Sequence, residues 1–220
     1  MARPVSRFST FLLFALFFTL FSGVFLVSPS AQESRDALRE YRLGNYDAAV
    51  GICLEELKAT PSNMDSYVVL CWSFIALKRF DDAALYAERG RGLNRYDSRI
   101  VQALGEARFH QGRNDEALKL FQEYANLSPD GGRIDIVYYY IGEIYTRQGR
   151  FRHADIALST AVRYAPGNAA WWTRLGYARE KASDNRYAAV AYEKALALDP
   201  QSADAKRGLE RTRRALAPRN

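Results

Sequence analysis

The chain has 220 residues, 48% of them hydrophobic, and carries 31 basic against 25 acidic side chains for a formal net charge of +6. Two arginines and no acid fall in the first 31 residues, which leaves 29 basic against 25 acidic side chains beyond them. So mild a balance argues against nucleic acid, which needs basic residues clustered on one face.

The N-terminus is unlike the rest. Arg3 and Arg7 precede an uncharged apolar run over 11–27, followed by Ser28, Pro29, Ser30 and Ala31. Residues 1–31 therefore read as an export signal or an N-terminal membrane anchor. The run exceeds the usual signal core and only just reaches the lower limit for spanning a bilayer. In either case the two arginines hold the N-terminus inside and the remainder is expected outside the cytoplasm. The expected location is the periplasm, with the chain soluble or anchored to the inner membrane.

Beyond residue 31 one spacing recurs. Ala49, Ala83, Ala117, Ala154 and Ala188 lie 34, 34, 37 and 34 residues apart, and Pro61, Pro129, Pro166 and Pro200 follow four of them by twelve positions. Twelve residues before the same alanines stand Ala37, Cys71, Gly105, Gly142 and Gly176, each a small side chain. Self-similarity at this period means a stacked array. Small residues on both of two antiparallel helices let their axes approach, and the proline stops the second helix. Tyr67, Val101, Tyr138 and Trp172, with Leu70, Leu104, Ile141 and Leu175, add an inward stripe at helical spacing. Between the helices Gly44, Gly112 and Gly149 suit a left-handed turn.

These residues resemble the tetratricopeptide repeat family. Trp172-Thr173-Arg174-Leu175-Gly176 and the closing run 191–200 match its pattern outright. The resemblance implies an all-α fold, a right-handed superhelix of about five hairpins over 30–63, 64–97, 98–131, 135–168 and 169–202. Repeat 1 departs from the pattern with Glu33 and Asp36 at apolar positions, and repeat 2 has Arg95 in place of proline. Ala205, Leu209, Thr212 and Leu216, behind a potential N-cap at Ser202, predict a capping helix over 203–216 before a disordered tail at 217–220. Its other face carries Lys206, Arg207, Arg211, Arg213 and Arg214, which reads as a solvated surface or as a contact for anionic lipid or polymer.

In similar repeats, positions 2, 5, 9 and 12 of the first helix line a concave groove. Read onto this chain, that face carries Leu38, Tyr41, Val68, Trp72 and Ile75 at an apolar end. It continues through Gln102, Glu106, Phe109, Tyr139, Glu143, Tyr177 and Glu180 at an acidic one. The expectation is a partner protein's extended or helical segment, with an apolar side chain near Trp72 and a basic or amide group near Glu106 and Glu143. The competing reading has Trp72 and Ile75 packing only against the next repeat. The lysine and asparagine clamp that some members use for a C-terminal carboxylate is not matched.

Other chemistry finds little support. Cys53 and Cys71 fall on neighbouring helices and are read as a disulfide or as two buried free thiols. No Cys or His pair has metal-ligand spacing, and no cofactor is expected. Ser183-Asp184-Asn185 copies part of a penicillin-binding motif without its companions, and no nucleophile elbow or phosphate loop appears, so an enzyme is not expected. The expected function is an extracytoplasmic interaction scaffold for envelope protein assembly or tethering. The alternative is a small-ligand or glycan-binding component of a transport system. Three extra residues at Asp130-Gly131-Gly132-Arg133-Ile134 mark either a tolerated insertion or a bend.

Overall fold

The computed structural model describes residues 36–218. The expected signal or anchor at 1–31 and the last two residues lie outside the described residues. Among the described residues no helix is long and apolar enough to cross a membrane.

The described residues form an all-α repeat superhelix. Five hairpins follow in order: α1 (Ala37–Arg42) with α2 (Tyr46–Ala59), α3 (Met64–Ala76) with α4 (Phe80–Leu93), and α5 (Ser98–His110) with α6 (Asn114–Leu127). Then come α7 (Ile134–Arg147) with α8 (Phe151–Tyr164), α9 (Ala169–Lys181) with α10 (Asn185–Leu198), and a last helix, α11 (Ala203–Leu216). Each helix packs on the next, and α1–α3, α3–α5, α5–α7 and α9–α11 also pack side by side; α7 and α9 approach less closely.

Helix ends follow local chemistry. α2, α6, α8 and α10 each stop two residues before Pro61, Pro129, Pro166 and Pro200, and α4 stops at the same place before Arg95, so stacking ends that helix without a proline. Side chains of Asp36, Asn63, Asp97, Asn168 and Ser202 accept backbone N–H bonds at the starts of α1, α3, α5, α9 and α11. Asp36 is thus the cap of a short first helix and not an acid in the core. The turn within each hairpin needs one left-handed residue. Gly44, Gly112 and Gly149 supply it at φ 83°, 78° and 70°, while Lys78 and Ser183 take it at 59° and 66°. Ser183 is therefore a turn residue, with Asp184 preceding α10 and Asn185 opening it.

The hairpins close through matched volumes. A Cβ on Gly105 would stand 2.8 Å from the Phe121 ring, one on Gly142 2.5 Å from Leu158, and one on Gly176 2.7 Å from the Tyr192 ring. Phe121, Leu158 and Tyr192 are almost fully buried, so each large side chain occupies the space its facing glycine leaves. The matching positions sixteen residues apart in the first two repeats are Ala37 with Cys53 and Cys71 with Ala87, all buried. There the sizes are evened or reversed. Cys53 and Cys71 are free thiols, not a disulfide. Burial pushes the Cys53 thiol up to about 12 and also raises Cys71, so both act as small apolar groups.

α11 seals the last hairpin through Ala205, Gly208, Leu209 and Thr212, with Gly208 against the Tyr192 ring; Leu216 is exposed and does not join this face. Its basic face is largely paired within the chain. Arg207 bonds Asp204, Arg211 bonds Glu180, Arg213 bonds Glu193 and Arg214 bonds Glu210.

Left-handed backbone is strained for a residue with a Cβ. Lys78→Gly and Ser183→Gly should each raise unfolding free energy by about 0.5–1 kcal/mol in denaturant titrations, and Gly149→Ala should lower it by about 1 kcal/mol. Loss of stability in both glycine variants would contradict a strained turn.

Candidate partner-binding groove

The first helices present the face on which a groove is expected. At its start Leu38 and Tyr41 of α1 pack half-buried against the core, and the Tyr41 ring lies 5.8 Å from Trp72. Val68 is buried, whereas Trp72 and Ile75 are half-buried, packed on the core with one side open. Leu38, Val68 and Trp72 also line a cleft of about 370 Å³ whose polar edge includes Asp36, Asp65 and Arg99. Arg99 bridges Asp65 at 2.7 Å and Asp97 at 2.8 Å across the rim.

The acidic end differs from expectation. Gln102, Glu106 and Phe109 are buried, and Glu143 is only 8% exposed. A carboxylate taken out of water needs partners, and each of these finds them in the chain itself. Glu106 accepts from Tyr140 Oη at 2.8 Å, Gln102 Nε2 at 2.6 Å and Arg133 at 3.3 Å. Glu143 is held by both nitrogens of an Arg174 fork at 2.6 and 2.8 Å. Glu180 pairs with Arg211 at 2.7 and 2.9 Å and accepts from Tyr192 Oη at 2.7 Å. Glu106 and Glu143 therefore offer no free carboxylate to a partner's basic group, and that expectation is corrected.

The ion pairs tie successive repeats. Arg174 lies on α9 and Glu143 on α7, where the two helices approach less closely; the Tyr139 ring stacks on Trp171 at 5.0 Å across the same gap. Arg174 also sits over Tyr177, whose ring meets Phe151 edge-on at 6.4 Å. Phe109 is capped by the Arg147 guanidinium 3.9 Å above its ring. Burial works against the charge on Arg174, but its bond to Glu143 outweighs that and holds it above the ordinary arginine range. The Arg211 guanidinium, against some burial, holds the Glu180 carboxyl below its ordinary value.

The insertion has a structural outcome. Arg133 occupies the position before α7 where other first helices have a capping side chain, and its own side chain makes no cap bond. Its N–H reaches Tyr124 Oη at 3.3 Å, and its guanidinium is delivered to Glu106. Gly131 packs so tightly on Ser128 and Tyr124 that a Cβ there would collide. Arg133, Arg174, Tyr140 and Trp171 are thus the partners of Glu106, Glu143 and Tyr139, which repeat positions alone do not indicate. A signal existed for one of them: Glu143–Arg174 and Glu180–Arg211 share a 31-residue spacing.

Among the described residues no three His, Cys, Asp or Glu side chains gather as a metal site. A model of the tetratricopeptide repeat matches residues 70–132 and 139–203, more than half of the chain. The chain belongs to the tetratricopeptide repeat family. It is 33% identical over 117 residues to the Hsp70-Hsp90 organizing protein of Triticum aestivum, a match that covers 53% of this chain and 20% of that protein. The chain thus spans about a fifth of that relative's length. Among solved structures it is similar to MamA, with TM-score 0.65 and 22% identity over 76% of this chain and 96% of that one. It is similar to the APC/C hetero-tetramer Cut9-Hcn1, with TM-score 0.71 and 18% identity over 80% and 34% of the two chains. It also resembles YrrB, described as having an unusual peptide-binding site, with TM-score 0.65 and 14% identity over 79% and 88%. At these identities the structures show the repeat fold.

Removing Arg174 as Arg174→Leu leaves Glu143 buried without its fork and should cost about 1–3 kcal/mol, more than a surface pair and less than a fully buried one. The double variant Arg174→Leu with Glu143→Leu should recover part of that loss; a double variant as unstable as the summed single ones would argue against the pairing. Because the folded Glu180 carboxyl titrates below its ordinary value, its stabilisation is complete above about pH 4.5 and is lost as pH falls through the folded value. Glu180→Gln should therefore lose less melting temperature than the parent between pH 6 and pH 3 (roughly the window that linkage sets), and identical slopes would contradict it.

Proposed function

We propose that this chain is an interaction scaffold that holds a segment of a partner protein along the face of its first helices, centred on Tyr41, Trp72 and Ile75. The observation that carries this is the half-buried aromatic and aliphatic surface of α1 and α3, where Tyr41, Trp72 and Ile75 gather beside a cleft that Trp72 helps to line. Aromatic side chains in such positions give large contact area at low entropic cost. The similarity to the Hsp70-Hsp90 organizing protein and to YrrB, with its unusual peptide-binding site, is consistent with a protein or peptide as the occupant.

The setting is proposed from the N-terminus. Arg3 and Arg7 ahead of the apolar run support export or anchoring, with the array in the periplasm and a role in assembling or tethering envelope proteins. Where it is retained, the apolar segment is the chain's own link to the membrane. A second reading rests on the cleft, whose volume of about 370 Å³ suits a small ligand or glycan stacked on Trp72.

In-cell crosslinking separates the two. A photoreactive side chain at Leu38 should trap a discrete protein, and the yield should fall at least tenfold with Tyr41→Ala or Trp72→Ala while circular dichroism shows the fold intact. An unchanged yield in both variants, together with quenching of Trp72 fluorescence by a purified small metabolite or glycan, would overturn the scaffold reading.

A further inference from the structure

Each first helix from α3 onward packs between two successive second helices, and one side chain on it, nine positions before the repeat alanine, meets the gap between them. That position holds Phe74 between α2 and α4, Arg108 between α4 and α6, Tyr145 between α6 and α8, and Arg179 between α8 and α10. Three of these side chains close their gap. Phe74 is buried, its ring 5.6 Å from that of Tyr86 on α4. Arg108 ties Glu88 of α4 to Glu116 of α6. Arg179 donates to Asp155 and Ser159 of α8 at 2.7 and 3.0 Å and to the Tyr187 carbonyl of α10 at 3.5 Å.

The gap over Tyr145 is left open. The α6 and α8 counterparts of Glu88 and Glu116 are the neutral Gln122 and His153, and the counterpart of Tyr86 is Ala157. Among the described residues no hydrogen bond engages the Tyr145 hydroxyl or the side chains of Gln122, Asn126 and His153. What remains is a cleft of about 490 Å³, floored by Tyr138, Ile141 and Tyr145 of α7 and walled by Gln122 and Asn126 on one side and His153 and Ile156 on the other. Its volume is that of a small-molecule site. Each wall is about one helical turn, roughly 6 Å long, and Arg108 and Arg179 plug the gaps on either side. A compact molecule fits such a space better than a polypeptide segment does.

The surroundings select its chemistry. Two phenol rings and two isoleucines offer a flat, apolar bed, and Ile156 is left 70% exposed beside it. No acid lines the cleft, so a cation finds no counter-charge there. Cations surround it instead. The Arg150 guanidinium lies 4.7 Å from the Tyr145 ring, Lys119 is one turn before Gln122, and Arg152 is one turn before Ile156. Among the described residues none of the three has an ion pair, whereas the neighbouring acids Glu123 and Asp155 are held by Arg91 and Arg179. Unmatched positive charge around an aromatic bed favours an anion with a flat apolar body.

We propose that the cleft between α6 and α8 binds a small aromatic carboxylate of one or two rings, with its rings on Tyr138, Ile141 and Tyr145 and its carboxylate at the lip beside Arg150. The site is separate from the face carrying Tyr41 and Trp72, and it stands or falls independently of the scaffold reading.

The probe is 2-naphthoate, titrated into the full chain by ligand-observed NMR. It should bind with a dissociation constant on the order of 1 mM or tighter. Its neutral and cationic relatives, 2-naphthamide and 2-naphthylmethylammonium, should bind roughly threefold more weakly or worse, the worth of a partly exposed ion pair. Gln122→Glu, Tyr145→Arg and His153→Glu together rebuild the Glu88–Arg108–Glu116 tie in this gap and should weaken binding about tenfold or more with circular dichroism unchanged. Ile156→Glu, at an exposed position, should weaken it roughly threefold and decides the matter if the triple variant unfolds. Trp72→Ala should leave it unchanged. Absence of binding, equal affinity for all three probes, or full affinity in Ile156→Glu would overturn the proposal. Loss of binding in Trp72→Ala would put the probe in the other cleft and overturn it as well.

Discussion

The last three hairpins each close on a pair of positions sixteen residues apart, where a large side chain fills the space left by a facing glycine. Gly105 faces Phe121, Gly142 faces Leu158 and Gly176 faces Tyr192, and the equivalent pairs in the first repeats are Ala37 with Cys53 and Cys71 with Ala87. Close packing tolerates neither a void nor an extra methyl at such a point, so helix separation within a hairpin is set here. That separation fixes where the first helices lie, and with them the face carrying Tyr41 and Trp72. Tyr192 serves twice, filling the Gly176 slot on one side and covering Gly208 of α11 on the other. The capping helix is thereby held by the same device that closes the hairpin before it.

Between hairpins the chain relies on polar ties. Glu143 with Arg174 and Glu180 with Arg211 link first helices across repeats, and Tyr139 on Trp171 supports the gap between α7 and α9. The insertion before α7 replaces a capping side chain with Arg133 and sends it to Glu106. It thus adds a member to the series of carboxylate–arginine ties instead of only lengthening a loop. On the face of the first helices Glu106 and Glu143 are thus satisfied within the chain, while the half-buried surface around Tyr41, Trp72 and Ile75 is apolar and aromatic.

The architecture was legible because it is periodic: alanines, small slots, prolines and turn glycines repeat, and a stacked array follows from them. What could not be seen depends on which side chains meet across repeats. Glu106 and Glu143 occupy groove positions by count, but count does not reveal that Arg133 and Arg174 neutralise them. The 31-residue Glu–Arg spacing holds for two pairs only, since the residue 31 after Glu106 is Val137, a core side chain. Lys78 and Ser183 show the converse: the turn demands left-handed backbone whether or not glycine is present. Cys53 and Cys71 read as a disulfide or as free thiols because their helices are neighbours; burial as packing groups accounts for both as free thiols.

Compensating volume is the claim on which the rest depends, and a double-mutant cycle at one hairpin tests it directly. Gly105→Cys, Phe121→Ala and the two combined, which recreate the Cys71–Ala87 pairing one repeat later, would be compared by equilibrium unfolding. Overpacking and cavity formation should destabilise the single variants by about 1–3 and 3–5 kcal/mol. The combined variant should recover at least about 1 kcal/mol of the sum, as residues in contact do. Strict additivity of the two losses would contradict the account.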